Sequence, residues 1–249
     1  LDIHKDGSSV ASFFGVDNKE PKLLYKAEVY PKTEEYDTSG LPKITEAYID
    51  ASVYEYEETD KSAVYESIWG DHYRDLYGQK VKTKVAMLDT LYGGLEVVRA
   101  GGGNQTRSLR LKDKNGKEYN MRALKKSGVQ FIQNTFFKDN YVEKSLENTI
   151  SEDILQDFYT AAHPYIFMVV PHLSEAIGVY HTNPKLYYVP KQPALGKYNV
   201  DYGDELYMIV ERPEKNHGDL ASFGKPDDIE STTDLYERLR RDEKYRLDE

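Results

Sequence analysis

Between Leu95 and Leu124 the chain holds three short strand-like runs, separated by two glycine-bearing segments. The first run, Leu95 to Arg99, enters Gly101-Gly102-Gly103-Asn104-Gln105-Thr106. The second, Ser108 to Lys112, sets Leu109 and Leu111 on one face, because successive side chains of a strand point to opposite sides. Asp113-Lys114-Asn115-Gly116 then carries an Asn-Gly pair, the strongest short signal for a primed hairpin turn. Tyr119 to Leu124 returns. Three consecutive strands joined by tight turns make an antiparallel meander, so a sheet is expected to organise the middle of the chain.

The flanks read more loosely. Val10 to Val16 and Leu23 to Tyr30 are expected strands, joined through Asp17-Asn18-Lys19-Glu20-Pro21. A polar linker (32–43) precedes a third strand from Ile44 to Tyr54. Thr59 or Asp60 can cap a helix to about Tyr77, with Val64, Ile68, Trp69, Tyr73 and Leu76 on one face and Gly78 as its stop. Strands at 80–88 and 94–99 flank Tyr92-Gly93-Gly94. Helices are expected at 127–144, at 151–162 with Ser151 as cap and Glu152 and Asp153 in the first turn, and at 169–177 before Gly178. Leu186 to Val189 and Leu206 to Val210 are short strands, Arg212 to Asp228 is polar loop, and Thr233 to Arg241 is a charged helix. This mixture defines an α+β fold: a short β-rich N-terminal region (1–58), then an antiparallel sheet with helices (59–249).

Composition removes several functions. Lys and Arg number 33 against 43 Asp and Glu, a net charge of −10. A generally basic surface for nucleic acid or anionic membrane is therefore not expected. Cysteine is absent, which excludes disulfides, thiolate metal sites and a cysteine nucleophile in this chain. The longest apolar run, Tyr165 to Val170, is far short of the roughly 18 residues that span a bilayer. The chain begins at Leu1 without a methionine and stops in a charged run, so it is expected to be a piece of a larger protein.

The glycine run is the best candidate for chemistry. Glycines let backbone amides approach an anion, and Arg99, Arg107 and Arg110 add charge nearby. No Gly-Lys-Ser/Thr follows, so it is not a Walker loop; the plain alternative is an ordinary bend. Arg122 lies inside the strand after the hairpin, where kinase-type folds carry a phosphate-pairing lysine. Its plain alternative is a surface arginine, and Lys125 and Lys126 follow it closely. Six histidines are scattered without metal-site spacing. Asp71-His72 could suggest a metal ligand, but a helix cap or surface imidazole explains it better, and no metal site is assigned. No Gly-x-Ser-x-Gly elbow or apolar-flanked carboxylate pair is present, so no catalytic residue is assigned.

Several strings carry a resemblance: Trp69-Gly-Asp-His-Tyr, Leu88-Asp-Thr-Leu-Tyr-Gly-Gly, the stretch from Gly101 to Leu111, Tyr119-Asn-Met-Arg-Ala-Leu-Lys-Lys-Ser, the stretch from Val179 to Gln192, and Gly203-Asp-Glu-Leu-Tyr-Met-Ile-Val-Glu-Arg-Pro. Together they resemble the region following the catalytic domain in calcineurin-like metallophosphoesterase proteins of Bacteroidetes envelopes. The later part is similar to the small lobe of an atypical kinase of the CotH/HipA type. The resemblance implies that 1–58 is the tail of, or a small sheet packed on, a phosphoesterase domain and that 59–249 is a kinase-small-lobe-like α+β domain, truncated at its C-terminal end. It implies a phosphate loop at Gly101, Gly102, Gly103, Asn104 and Thr106, with Arg122 and Lys125 as cations. Glu152 or Asp157 would be the acidic partner, and Tyr207, Ile209 and Glu211 the hinge. The phosphoesterase metal motifs are missing, and Arg122 stands where such folds carry lysine. The implied function is a non-catalytic or half-site module that binds nucleotide or phosphate, with a structural adaptor as the alternative. ATP and magnesium would belong to the full-length protein, the partners would be its other domains, and the location would be the cell envelope, periplasmic or outer-membrane associated.

Overall fold

The computed structural model describes residues 2–3, 9–17, 20–29, 36–55, 59, 63–70, 72–101, 105–137, 149–213, 223–227 and 229–241. Among them the fold is α+β, with helices and three antiparallel sheets. The N-terminal sheet holds β1 (Asp2–Ile3), β2 (Ser9–Asp17) and β3 (Glu20–Val29), in that order. Expectations for Asn18, Lys19 and Tyr30 lie outside the described residues.

A five-stranded antiparallel sheet organises the rest. It comprises β6 (Leu95–Ala100), β7 (Thr106–Asp113), β8 (Glu118–Lys126), β9 (Lys185–Val189) and β10 (Glu205–Glu211), in the order β6-β7-β8-β10-β9. The meander is thus present, and β10 inserts between β8 and β9. The β7–β8 turn differs from the expected one. Asp113 C=O accepts from Gly116 N–H at 3.0 Å, its N–H donates to Lys117 C=O at 2.9 Å, and Gly116 alone in this turn takes positive φ, at +88°. Asn115 keeps negative φ because the Asp113 carboxylate accepts its N–H at 2.9 Å. This is a longer loop with glycine in the left-handed position, not a two-residue primed turn.

One face of the sheet is covered along its length, and the other is covered at the end that holds Leu124 and Leu206. On one, Leu109, Leu111, Met121, Ala123, Tyr207 and Ile209 pack against Ala86, Leu88, Leu95 and Leu195. On the other, Leu124 and Leu206 pack against Val53, Tyr54 and Tyr77. Each fully buried leucine or isoleucine contributes about 1.5–3 kcal/mol, so this two-sided burial holds the sheet in register.

The third expected strand shrinks to β4 (Tyr48–Ala51), paired with β5 (Val81–Lys84). Tyr188 C=O ties this ribbon to the main sheet by accepting from Ala86 N–H at 2.9 Å. The single helix expected up to Tyr77 is two, α1 (Ala63–Trp69) and α2 (Arg74–Gly78). Gly70, at φ +70°, ends the first. The expected apolar face is also wrong: Val64 and Ile68 are exposed, and Tyr65 is the buried residue. A seven-residue helix has too few turns for periodicity to choose its buried side. Helix α3 (Gly128–Ile132) starts at Ser127, whose hydroxyl accepts Gln130 N–H, and continues as a π-helical turn over Gln133–Phe137. The expected extension to 144 lies outside the described residues. Helix α4 (Ile150–Thr160) is capped by Thr149, not Ser151, because Thr149 Oγ1 accepts Glu152 N–H. Then come α5 (Val170–Ala176), a helical turn of the tighter type at Pro193–Val200, and α6 (Thr232–Arg241).

Candidate functional site

The register of β6, β7, β8 and β10 places the candidate residues. Gly101 donates its N–H to Ser108 C=O at 2.7 Å. Ser108 lies opposite Arg122, and Arg122 opposite Met208. Gly101, Ser108, Arg122 and Met208 therefore form one row across four strands. A Cβ on Gly101 would fall 2.1 Å from Ser108 Oγ, so glycine is what leaves this hydroxyl room. Arg122 is exposed and forms no ion pair with any described residue. Gly102, Gly103 and Asn104 lie outside the described residues. Thr106 lies opposite Lys126, at the far end of the same loop.

One row away on the same face, Arg99 and Arg110 sit directly opposite each other, with Asn120 beside Arg110. Glu118 lies a further row along and receives Arg110 Nε at 3.6 Å and Arg212 Nη1 at 2.8 Å on a single oxygen. Burial lowers the Arg110 pKa, and Arg212 and Arg99 add like-charge repulsion that Glu118 opposes. Of the arginines expected to add charge, Arg107 leaves the group: its guanidinium donates to Asp201 C=O at 2.8 Å. Arg212 was not anticipated, although its distance from β10 in sequence carries it past Glu211 to the row of Glu118.

The other expected residues disperse. Lys125 lies over the Tyr54 ring at 5.1 Å. Burial raises the pKa of nearby Glu205, with Arg107 and Lys125 opposing. Asp157 pairs with Arg74, not Arg122. Glu152 stays in the first turn of α4, and its backbone packs on Gly128 of α3. Lys126 also lies against α4: its Nζ lies over the Tyr159 ring at 5.5 Å, and burial lowers its pKa. Tyr207 and Ile209 are fully buried core residues, and Glu211 pairs with Lys117 at 3.7 Å. The side chains expected at a hinge are thus committed elsewhere.

A groove of about 500 Å³ lies between Asp89, Gly94–Val97 and Pro193–Tyr198. Among the described residues no group of three or more His, Asp or Glu side chains could hold a metal ion, and no helix is long and apolar enough to cross a membrane. Compared with family models, curated proteins and solved structures, the chain matches none. What the fold and face define is an α+β protein whose central sheet presents arginines beside Gly101.

Proposed function

We propose that this chain is a non-catalytic half-site module that binds a phosphate-bearing ligand, most simply a nucleotide, beside Gly101 and Arg122. The observation that carries it is the single row of Gly101, Ser108 and Arg122. The Gly101 backbone, a hydroxyl and an exposed guanidinium are donors suited to one phosphoryl group. The chain order supports the same reading. A glycine turn joins two strands, the third carries the cation, a helix follows, and two more strands complete one sheet, as in kinase-type small lobes. The parent protein would be envelope-associated and phosphoesterase-like, with its other domains as partners. It would supply the second wall and, with ATP, the carboxylates for magnesium.

One exposed sheet face offers few contacts, so affinity should lie between about 100 μM and 1 mM. Titration with ATP and with pyrophosphate, followed by NMR at matched ionic strength, tests it. Shifts at Ser108 and Arg122 that disappear in Arg122→Ala are expected; absent shifts, or equal shifts in the variant, defeat it. The structural-adaptor reading is favoured by a different observation, the exposed apolar stripe Ile166, Val169, Val170, Leu173 and Ile177.

A further inference from the structure

We infer that Arg99 and Arg110, with Asn120 and Arg212, form a second anion subsite that takes a phosphoryl-type dianion independently of Arg122. Arg99 and Arg110 are direct cross-strand partners. Two like charges directly opposite destabilise a sheet, so the pair needs compensation. The carboxylate in reach of Arg110 is Glu118, and Arg212 shares the same Glu118 oxygen. Arg99 forms no ion pair with a described residue.

Arg110 shares Glu118 with Arg212, and Arg99 faces Arg110 with no ion pair to a described residue, so a phosphoryl-type anion between Arg99 and Arg110 supplies counter-charge that this cross-strand pair lacks. Guanidiniums hold phosphoryl oxygens through paired N–H bonds, and the Asn120 carboxamide adds a neutral donor in the same row. Neighbouring rows on one face lie about 7 Å apart, at roughly 3.4 Å per residue. One phosphate therefore reaches either this row or that of Arg122, whereas two linked phosphoryl groups reach both. The subsite uses residues other than those of the proposed nucleotide site, so the two can fail separately.

The probe is inorganic phosphate, titrated into the intact chain with the arginine Nε–H signals followed by NMR at constant ionic strength. Arg99 is exposed, so Arg99→Gln should remain folded, and it is expected to weaken phosphate binding roughly tenfold, the loss of one charge-assisted contact. Glu118→Gln removes the competing anion and is expected to tighten binding several-fold. A merely structural cluster would behave oppositely, since it would lose its one counter-charge. Unchanged affinity in Arg99→Gln, or weaker binding in Glu118→Gln, overturns the inference. Response at Arg99 and Arg110 without any response at Arg122 supports it, and the reading of the previous subsection then stands or falls on its own ATP and pyrophosphate titrations.

Discussion

Gln192 and Asn199 are both buried, and every polar group they carry inward is used. Gln192 Oε1 accepts Leu88 N–H at 2.6 Å, and its Nε2 donates to Ala86 C=O and Pro190 C=O, each at 3.1 Å. Gln192 N–H donates to Asn199 Oδ1, and Asn199 Nδ2 donates back to Gln192 C=O. This network pins the segment that covers the Leu88–Leu195 side of the core. Gln192→Ala strands Leu88 N–H and removes a donor from two carbonyls, and should cost about 3 kcal/mol or more, since each buried orphan costs about 1–3. Urea denaturation measures it. Glu205 is a second residue whose surroundings decide its behaviour. Its folded pKa lies above the ordinary value because burial opposes its charge. Folded protein then binds more protons than unfolded protein between the two pKa values, and stability falls as pH rises through that window. Glu205→Gln should match the wild type below the ordinary carboxylate pKa and be the more stable of the two above the raised one. Paired denaturation curves at pH 4 and pH 7 test this, and a constant difference between the two proteins counts against it.

At the scale of elements, α4 is held by polar contacts as much as by apolar ones. Tyr77 Oη donates to Tyr159 C=O at 3.1 Å and Ala162 C=O at 3.0 Å, satisfying carbonyls at the end of the helix. Tyr54 Oη bridges to the β8 end through Lys126 N–H and C=O. Arg74 of α2 pairs with Asp157 in the middle of α4. Tyr77→Phe keeps the ring in the core and removes only the hydroxyl. It should cost about 1–2 kcal/mol, with faster amide exchange concentrated near residues 159–162. Uniform loss of protection across β7 and β8 instead would show that α4 is not a separable unit. The docking of α4 also explains why an Arg122–Asp157 pair does not form: α4 packs on α3, Tyr54 and Lys126, and the Asp157 carboxylate is taken by Arg74.

The whole molecule combines an acidic net charge of −10 with one local basic face and one broad apolar surface. Ile166, Val169, Val170, Leu173 and Ile177 follow helical spacing and are all exposed. A contiguous apolar patch of this kind promotes association. Leu173→Lys should raise the concentration at which light scattering detects assembly and leave the Tm nearly unchanged, because Leu173 buries little. A large drop in Tm would mean that Leu173 belongs to the core.

Periodicity is covalent geometry, so it was legible wherever a strand was long enough to repeat it. Alternation along Ser108–Lys112 and Tyr119–Leu124 determined the strands, the buried face of Leu109, Leu111 and Met121, and the opposite placing of Arg122. Glycine at Gly116 and Gly178 marked turns because the left-handed region is closed to most side chains. Tertiary structure alone decided which equivalent partner each group would meet. It gave Asp157 to Arg74, set Arg99 against Arg110, brought Arg212 to Glu118, and turned Tyr65 rather than Val64 inward. Those choices depend on packing between segments far apart in the chain, and many arginines, carboxylates and short apolar runs compete for each of them until β10 enters between β8 and β9.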